Sequence, residues 1–284
     1  MKKIGFVDYY ISEWHANNYP AWIDEACKNA GVDYKVAYAW AELDASPKYN
    51  ETTDEWCKKY GAEKCETIEE LCEKSDVIVV LAPSDPKTHL RYAEKVLPYG
   101  KRTYIDKTFA PDLKTAKKIF DIAKKYNTPF FSSSALRYAS ELESIPNCRQ
   151  MMTTGSGASA DEYIIHQVEM IVKKLGFGAD KIRAEQFGDQ WIYRLGYRDD
   201  RCALMTYAPR KLSFNAYMND GNGNYAYTPV TSDFFKGLIA DMVRFFEEGT
   251  VSFDAEETLE VMRIRNGVIV AMETPDTWVD LNKI

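Results

Sequence analysis

The chain has 284 residues, enough for about two domains at the usual length per domain. Its 45% hydrophobic, 28% charged and 13% aromatic residues are globular values that exclude a mostly disordered or low-complexity chain. Thirty-six basic against 43 acidic side chains give a formal net charge of −7, so nothing draws the whole molecule toward nucleic acid or an anionic membrane.

No apolar run approaches the roughly 18 residues of a membrane span, and the start MKKIGFVDYY turns polar too early for a signal peptide. The expectation is a cytoplasmic protein with no nucleic-acid or membrane partner. The six cysteines, Cys27, Cys57, Cys65, Cys72, Cys148 and Cys202, contain no C-x-x-C pair and none has a histidine at metal-ligand spacing. Reduced, mostly buried thiols and no metal site are therefore expected.

The first half alternates short β-branched runs with longer amphipathic segments, the pattern of strands joined by crossover helices into a parallel sheet. The runs are residues 3–8, 34–40, 76–82, 102–106 and 129–132. Between the last two, Leu113, Ala116, Ile119, Phe120 and Ala123 recur at helical spacing with Lys114, Lys117, Lys118 and Lys124 between them, which predicts a surface helix. Five strands with helices between them make a doubly wound domain whose ligand crevice lies at the carboxyl ends of the strands.

The pattern changes after Ser134. An aromatic-rich helix is expected over 136–145, then a Gly/Ser/Thr connection over 153–159 and a helix over 161–175. Alternating segments at 190–197, 202–207 and 212–218, with the turn signal Asp220, Gly221, Asn222, Gly223, predict a mostly antiparallel sheet. Its aromatics, Trp191, Tyr193, Tyr197, Tyr207, Phe214 and Tyr217, read as core or a subunit interface. Two helices are expected over 233–248 and from 254 to about 272, with Asp254 and Glu257 at capping-box spacing.

Two stretches resemble the glucose-fructose oxidoreductase / inositol dehydrogenase (Gfo/Idh/MocA) family. One is DVIVVLAPSDPKTH (76–89) followed by GKRTYIDKTFA (100–110), similar to the family's strand, proline, histidine and terminal Glu-Lys-Pro. Here Asp106, Lys107 and Thr108 take the Glu-Lys-Pro place. The other is YIIHQVEMIVKKLG (163–176), similar to the family helix whose histidine sits beside the substrate. His15 and Arg137 also fall where the family often has such residues.

The resemblance implies a Rossmann-like dinucleotide-binding domain over 1–134 and an α/β domain with an open sheet over 135–284 that binds substrate and makes homo-oligomers. It implies hydride transfer between NAD or NADP and a sugar, cyclitol or similar small molecule. Lys107 would hydrogen-bond the reacting oxygen, His166 would take its proton, and Glu162, four residues earlier, would orient the imidazole. Arg137 would help bind substrate, its bland alternative being an inter-domain salt bridge. Asp8, Tyr10, Ile11, Ser12, Trp40, Ala82, Pro83, His89 and Asp106 fall where the family's cofactor would lie, although His15 and His89 read more simply as structural residues that close loop-to-helix corners.

The cofactor end departs from the pattern. A dinucleotide fold carries G-x-G-x-x-G after its first strand, so that the backbone can approach the pyrophosphate at a helix N-terminus. This chain reads GFVDYYISEWH over 5–15, with no glycine in the loop. Asp8 and Glu13 would repel a pyrophosphate, and Tyr9, Tyr10 and Trp14 would crowd it. Trp40 takes the place of the ribose-binding acid, with Glu42 and Asp44 following. Two readings result: a nicotinamide-dependent oxidoreductase that binds its cofactor without the glycines, or a noncatalytic relative that has lost the dinucleotide and binds a small molecule or serves as a scaffold subunit. A methyltransferase would also use a doubly wound sheet, but would leave Lys107 and His166 unexplained.

Overall fold

A computed structural model of the protein describes residues 1–83, 85–210 and 212–284. The chain forms two compact units, Met1–Ser133 with Leu238–Ala255, and Ser134–Gly237 with Glu256–Ile284.

The first unit is built on β1 (Lys2–Asp8), β2 (Tyr34–Ala41), β3 (Glu63–Lys64), β4 (Val77–Val80), β5 (Thr103–Ile105) and β6 (Phe130–Phe131). They form a parallel sheet in the order β3-β2-β1-β4-β5-β6. The crossovers carry α1 (Trp14–Ala30), α2 (Thr53–Tyr60), α3 (Ile68–Lys74), α4 (His89–Val96) and α5 (Leu113–Tyr126). Ile4, Phe6 and Val7 of β1 and Ile78, Val79 and Val80 of β4 are fully buried, as central strands covered on both faces must be. Gly5 has a packing reason: a Cβ there would run into Ser75 Oγ and the Leu71 side chain, so its absence lets α3 lie close on the sheet. The order reverses between β1 and β4, and the loops leaving their carboxyl ends flank the switch point where ligands of such sheets bind.

The five predicted strands form, and the sixth, β3, is too short to leave a periodic signal. The first unit also takes back a later stretch. In α7 (Phe234–Glu248), Phe245 packs on Phe131 at 5.0 Å and Phe246 on Tyr34 at 5.8 Å between ring centroids. Arg102 donates to the carbonyls of Phe246 and Glu247 at 2.5 and 2.6 Å, a cation on the last turn of a helix. The later unit begins at Ser134 and is interrupted by Leu238–Ala255.

The second unit has β7 (Gln150–Gly155), β8 (Ala179–Phe187), β9 (Gln190–Tyr197), β10 (Cys202–Tyr207), β11 (Asn215–Asn219), β12 (Tyr225–Pro229) and β13 (Val279–Asp280) in the order β12-β11-β7-β10-β9-β8-β13. Every pairing is antiparallel except β7 with β10. Helices α6 (Ala160–Leu175) and α8 (Glu257–Glu273) complete it. Along the strands Met151, Thr153, Ala203, Met205, Tyr207, Ala216, Met218, Tyr193, Leu195 and Tyr197 are buried, while alternate positions such as Met152, Leu204, Ile192 and Tyr217 are partly or fully exposed. One face is core and the other open. Tyr193, Tyr197 and Tyr207 are therefore core residues, and Tyr217 belongs to the open face.

Three expectations fail in this unit. Residues 136–145 form two short 3-10 segments, Ala135–Tyr138 and Ser140–Ser144, because Ala139 is extended between them and the Ser140 amide bonds Ser232 Oγ at 3.2 Å. The Gly/Ser/Thr stretch begins inside β7, where Thr153 holds Gln167 Oε1 at 2.8 Å. The cap of α8 differs from the expected one: Glu256, not Asp254, takes the cap position, without a side-chain capping bond, and the Glu257 carboxylate pairs with Arg137.

Candidate functional site

In the first unit the polar side chains gather at the carboxyl ends of β1, β4 and β5. Asp8 is 1% exposed, and its Oδ1 accepts from the amides of Tyr9 at 2.7 Å and Ala82 at 3.0 Å, tying the two switch-point loops together. Ala82 takes a positive φ of 61° to present that amide. Asp8 Oδ2 has no hydrogen-bond partner. Burial, and then the nearby Glu13 charge, push the Asp8 carboxyl well above the ordinary carboxylate range.

Glu13 is the N-cap of α1. Its carboxylate accepts from the amides of Ala16 and His15, the latter at 2.8 Å, and lies 3.1 Å from His15 Nδ1. It thus satisfies amides that a helix N-terminus otherwise offers to an anion. The other His15 nitrogen, Nε2, is 3.9 Å from Asp106 Oδ2. Asp106 follows β5; its Oδ1 accepts from Tyr104 Oη at 2.9 Å, and its Oδ2 is buried without a hydrogen-bond partner. Lys107 Nζ is also 3.9 Å from that oxygen. A carboxylate oxygen, an imidazole and an ammonium therefore face one another just beyond hydrogen-bond reach.

The remaining expected cofactor residues divide. Ser12 donates to Glu51 Oε2 at 2.5 Å, Ile11 is a core side chain at 1% exposure, and Tyr10 and Pro83 are half-buried. Trp40 lies inside β2 and packs edge-on against Tyr92. Glu42, the first residue after that strand, pairs with Arg91 and accepts from Tyr92 Oη at 2.8 Å. His89 is fully buried, with Nδ1 3.0 Å from the Phe109 carbonyl and Nε2 2.5 Å from that of Leu81. It ties the loop after β4 to the loop after β5. Burial pushes its imidazole below the ordinary range.

In the second unit, His166 lies on α6 with Nδ1 2.6 Å from Ser134 Oγ, and with Tyr163 and Phe214 at ring distances of 5.7 and 5.8 Å. The Ser134 amide donates to Glu169 Oε1 at 3.0 Å. Ser134 thus meets a ring nitrogen of the imidazole for which Glu162 was the expected partner, and the Glu162 amide is capped by Ser159 Oγ at 3.3 Å. Arg137 is 3% exposed; it pairs with Glu257 and lies 3.5 Å from Glu169 Oε2. Both of these partners belong to the same unit as Arg137. Ser134 and Glu169 escaped sequence reading because a serine in a Ser-rich run and a glutamate on an apolar helix carry no spacing signal.

For a dinucleotide, the donor set fits an anion: the His15 and Ala16 amides converge on a carboxylate that stands in for one. The occupant is the chain's own Glu13. Among the described residues no group of His, Cys, Asp or Glu could hold a metal ion, and no helix is long and apolar enough to cross a membrane.

Residues 32–133 match the model of an oxidoreductase family with an NAD-binding Rossmann fold, GFO_IDH_MocA. The match begins after the loop that lacks the glycines. No curated protein matches. Among solved structures, a probable dehydrogenase from Thermotoga maritima is 11% identical with a TM-score of 0.80, over 99% of each chain. Scyllo-inositol dehydrogenase from Lactobacillus casei, with bound NAD(H) and scyllo-inositol, is 15% identical with a TM-score of 0.76, over 99% of each chain. An oxidoreductase from Agrobacterium radiobacter, in complex with NAD+, L-tartaric acid and magnesium, is 10% identical with a TM-score of 0.78, again over 99% of each. At these identities the likeness is one of fold. Residues 32–133 carry the sequence pattern of the Gfo/Idh/MocA oxidoreductases, and the whole chain has the two-sheet fold that the resemblance implied.

Proposed function

We propose that the protein is a nicotinamide-dependent oxidoreductase acting on a small polyhydroxylated molecule of the sugar or cyclitol class. The observation that carries this reading is Lys107, an ammonium group at the carboxyl edge of a parallel sheet whose sequence matches an NAD-binding oxidoreductase family. Bound nicotinamide would supply or accept the hydride. Lys107 Nζ would donate to the reacting oxygen and stabilise charge as the proton leaves, with Asp106 keeping the ammonium turned toward the strand end. His166 would hold that proton at Nε2, its Nδ1 fixed by Ser134. The His15 and Ala16 amides are the groups for the pyrophosphate. One solved structure of this fold, with bound NAD(H) and scyllo-inositol, supports the substrate class.

A second reading, a relative without dinucleotide, is favoured by Glu13 on those same amides. Calorimetric titration of the folded protein with NADH and NADPH separates the two. Binding of either, with Lys107→Ala and His166→Ala each lowering turnover at least about 100-fold, is expected of an oxidoreductase. Silence toward both dinucleotides at millimolar concentration would leave the second reading. We also propose that the open face of the second sheet, with Met152, Leu204 and Tyr217, meets a second copy of the chain.

A further inference from the structure

We propose that Glu13 is a built-in competitor for the dinucleotide, holding the pyrophosphate seat at the start of α1 until the cofactor displaces it. The proposal rests on the nicotinamide reading above and adds to it what sets cofactor affinity. Three donors meet on one carboxylate: the amides of His15 and Ala16 and, at 3.1 Å, His15 Nδ1. A helix N-terminus offers such donors to phosphates because its first amides have no partner within the helix and its dipole favours negative charge. Here α1 is 17 residues long, so the dipole is fully developed, and both requirements are already met from within the chain.

A second carboxyl crowds the seat. Asp8, 1% exposed, has an oxygen with no hydrogen-bond partner and feels the Glu13 charge. A pyrophosphate entering with Glu13 in place would set its charge against the Glu13 carboxylate. With Glu13 turned away it would meet the same amides that now hold the carboxylate. Room adjoins the helix start: Ser12, Trp14, Asn17 and Lys59 help line an open hollow of about 390 Å³.

The consequence is a cofactor affinity lowered by the strength of an acidic cap, a factor of about ten. Two variants isolate the charge. Glu13→Ser leaves a good N-cap with a short neutral side chain, and Glu13→Asp leaves a good N-cap that is still a carboxylate. Calorimetric dissociation constants for NADH, ADP-ribose and adenosine would be compared across wild type and both variants, with thermal melts confirming equal folding. The expected result is NADH and ADP-ribose at least about tenfold tighter in Glu13→Ser, near wild type in Glu13→Asp, and no change for adenosine, which lacks the pyrophosphate. Equal or weaker NADH binding in Glu13→Ser would overturn the competition while leaving the nicotinamide reading intact. If wild type and both variants bind neither NADH nor NADPH, the nicotinamide reading falls and the competition with it.

Discussion

His166 can take a proton at Nε2 only if Nδ1 already carries one and gives it to Ser134 Oγ, 2.6 Å away. That hydroxyl also receives the Leu136 amide at 3.3 Å, and its two lone pairs allow both bonds. Ser134→Ala removes a bond worth about 1 kcal/mol to a neutral imidazole and about 2 kcal/mol to the imidazolium formed in the reaction. The difference, about 1 kcal/mol, predicts a turnover loss of about fivefold, with the Michaelis constant little changed because substrate contacts are untouched. The chain has three histidines, so long-range proton–nitrogen correlation of the imidazoles resolves each, and His166→Asn assigns the signal. The wild type should show the Nδ1-protonated tautomer, and Ser134→Ala a mixture. Finding His166 protonated at Nε2 in the wild type would refute the reasoning, since Ser134 would then be the donor and the nitrogen meant to accept the proton would already hold one.

Two further predictions concern folding and assembly. Asp8 has its folded carboxyl raised, first by burial and then by Glu13, so as pH rises above the unfolded value near 3.9 the unfolded chain ionises before the folded one does and stability is lost. Asp8→Asn removes that loss: its stability advantage in urea titrations should grow from pH 4 upward toward the raised folded value, and a pH-independent difference would contradict the assignment. Met152→Lys with Leu204→Lys, both on the open face of the second sheet, should convert an oligomer to a monomer in sedimentation without lowering the melting temperature of the isolated fold. A wild-type protein that sediments as a monomer would remove that interface.

The sheet of the first unit was legible because its strands are buried on both faces and so read as continuous apolar runs: Val77 to Val80 are all buried. Lys107 and His166 are singled out because a family pattern fixes their register, and they lie just beyond β5 and on α6. Glu13 was read as an obstacle to a pyrophosphate, and the structure shows the same charge differently, as a ligand to its own helix. Glutamate is outside the residues favoured at N-caps, so nothing in the spacing pointed there. For His89 the structural reading was open from the sequence but its partners were not, since the two main-chain carbonyls that meet its ring carry no residue signal. Similarly, the return of Leu238–Ala255 to the first unit depends on Phe245 and Phe246 finding Phe131 and Tyr34, contacts between residues too distant along the chain to leave a periodic trace.

Replacing glycines by acids at the start of α1 changes what the first unit needs in order to fold. In a glycine-rich loop the helix amides stay open, and an incoming anion completes them. Here Glu13 caps them from within the chain, so on the proposed reading the phosphate contacts that usually anchor a dinucleotide would yield only the difference between one anion and another. Binding strength must then come from groups that still lack partners. Asp106 Oδ2 is such a group, buried and 3.9 Å from both His15 Nε2 and Lys107 Nζ. A hydroxyl seated among them would donate to the carboxylate and accept from a nitrogen, recovering the cost of an unsatisfied buried acceptor, about 1–3 kcal/mol. On the proposed reading, a polyhydroxylated ligand would gain at the strand ends what a phosphate would not, and the weight of recognition would shift from the start of α1 toward Asp106 and Lys107.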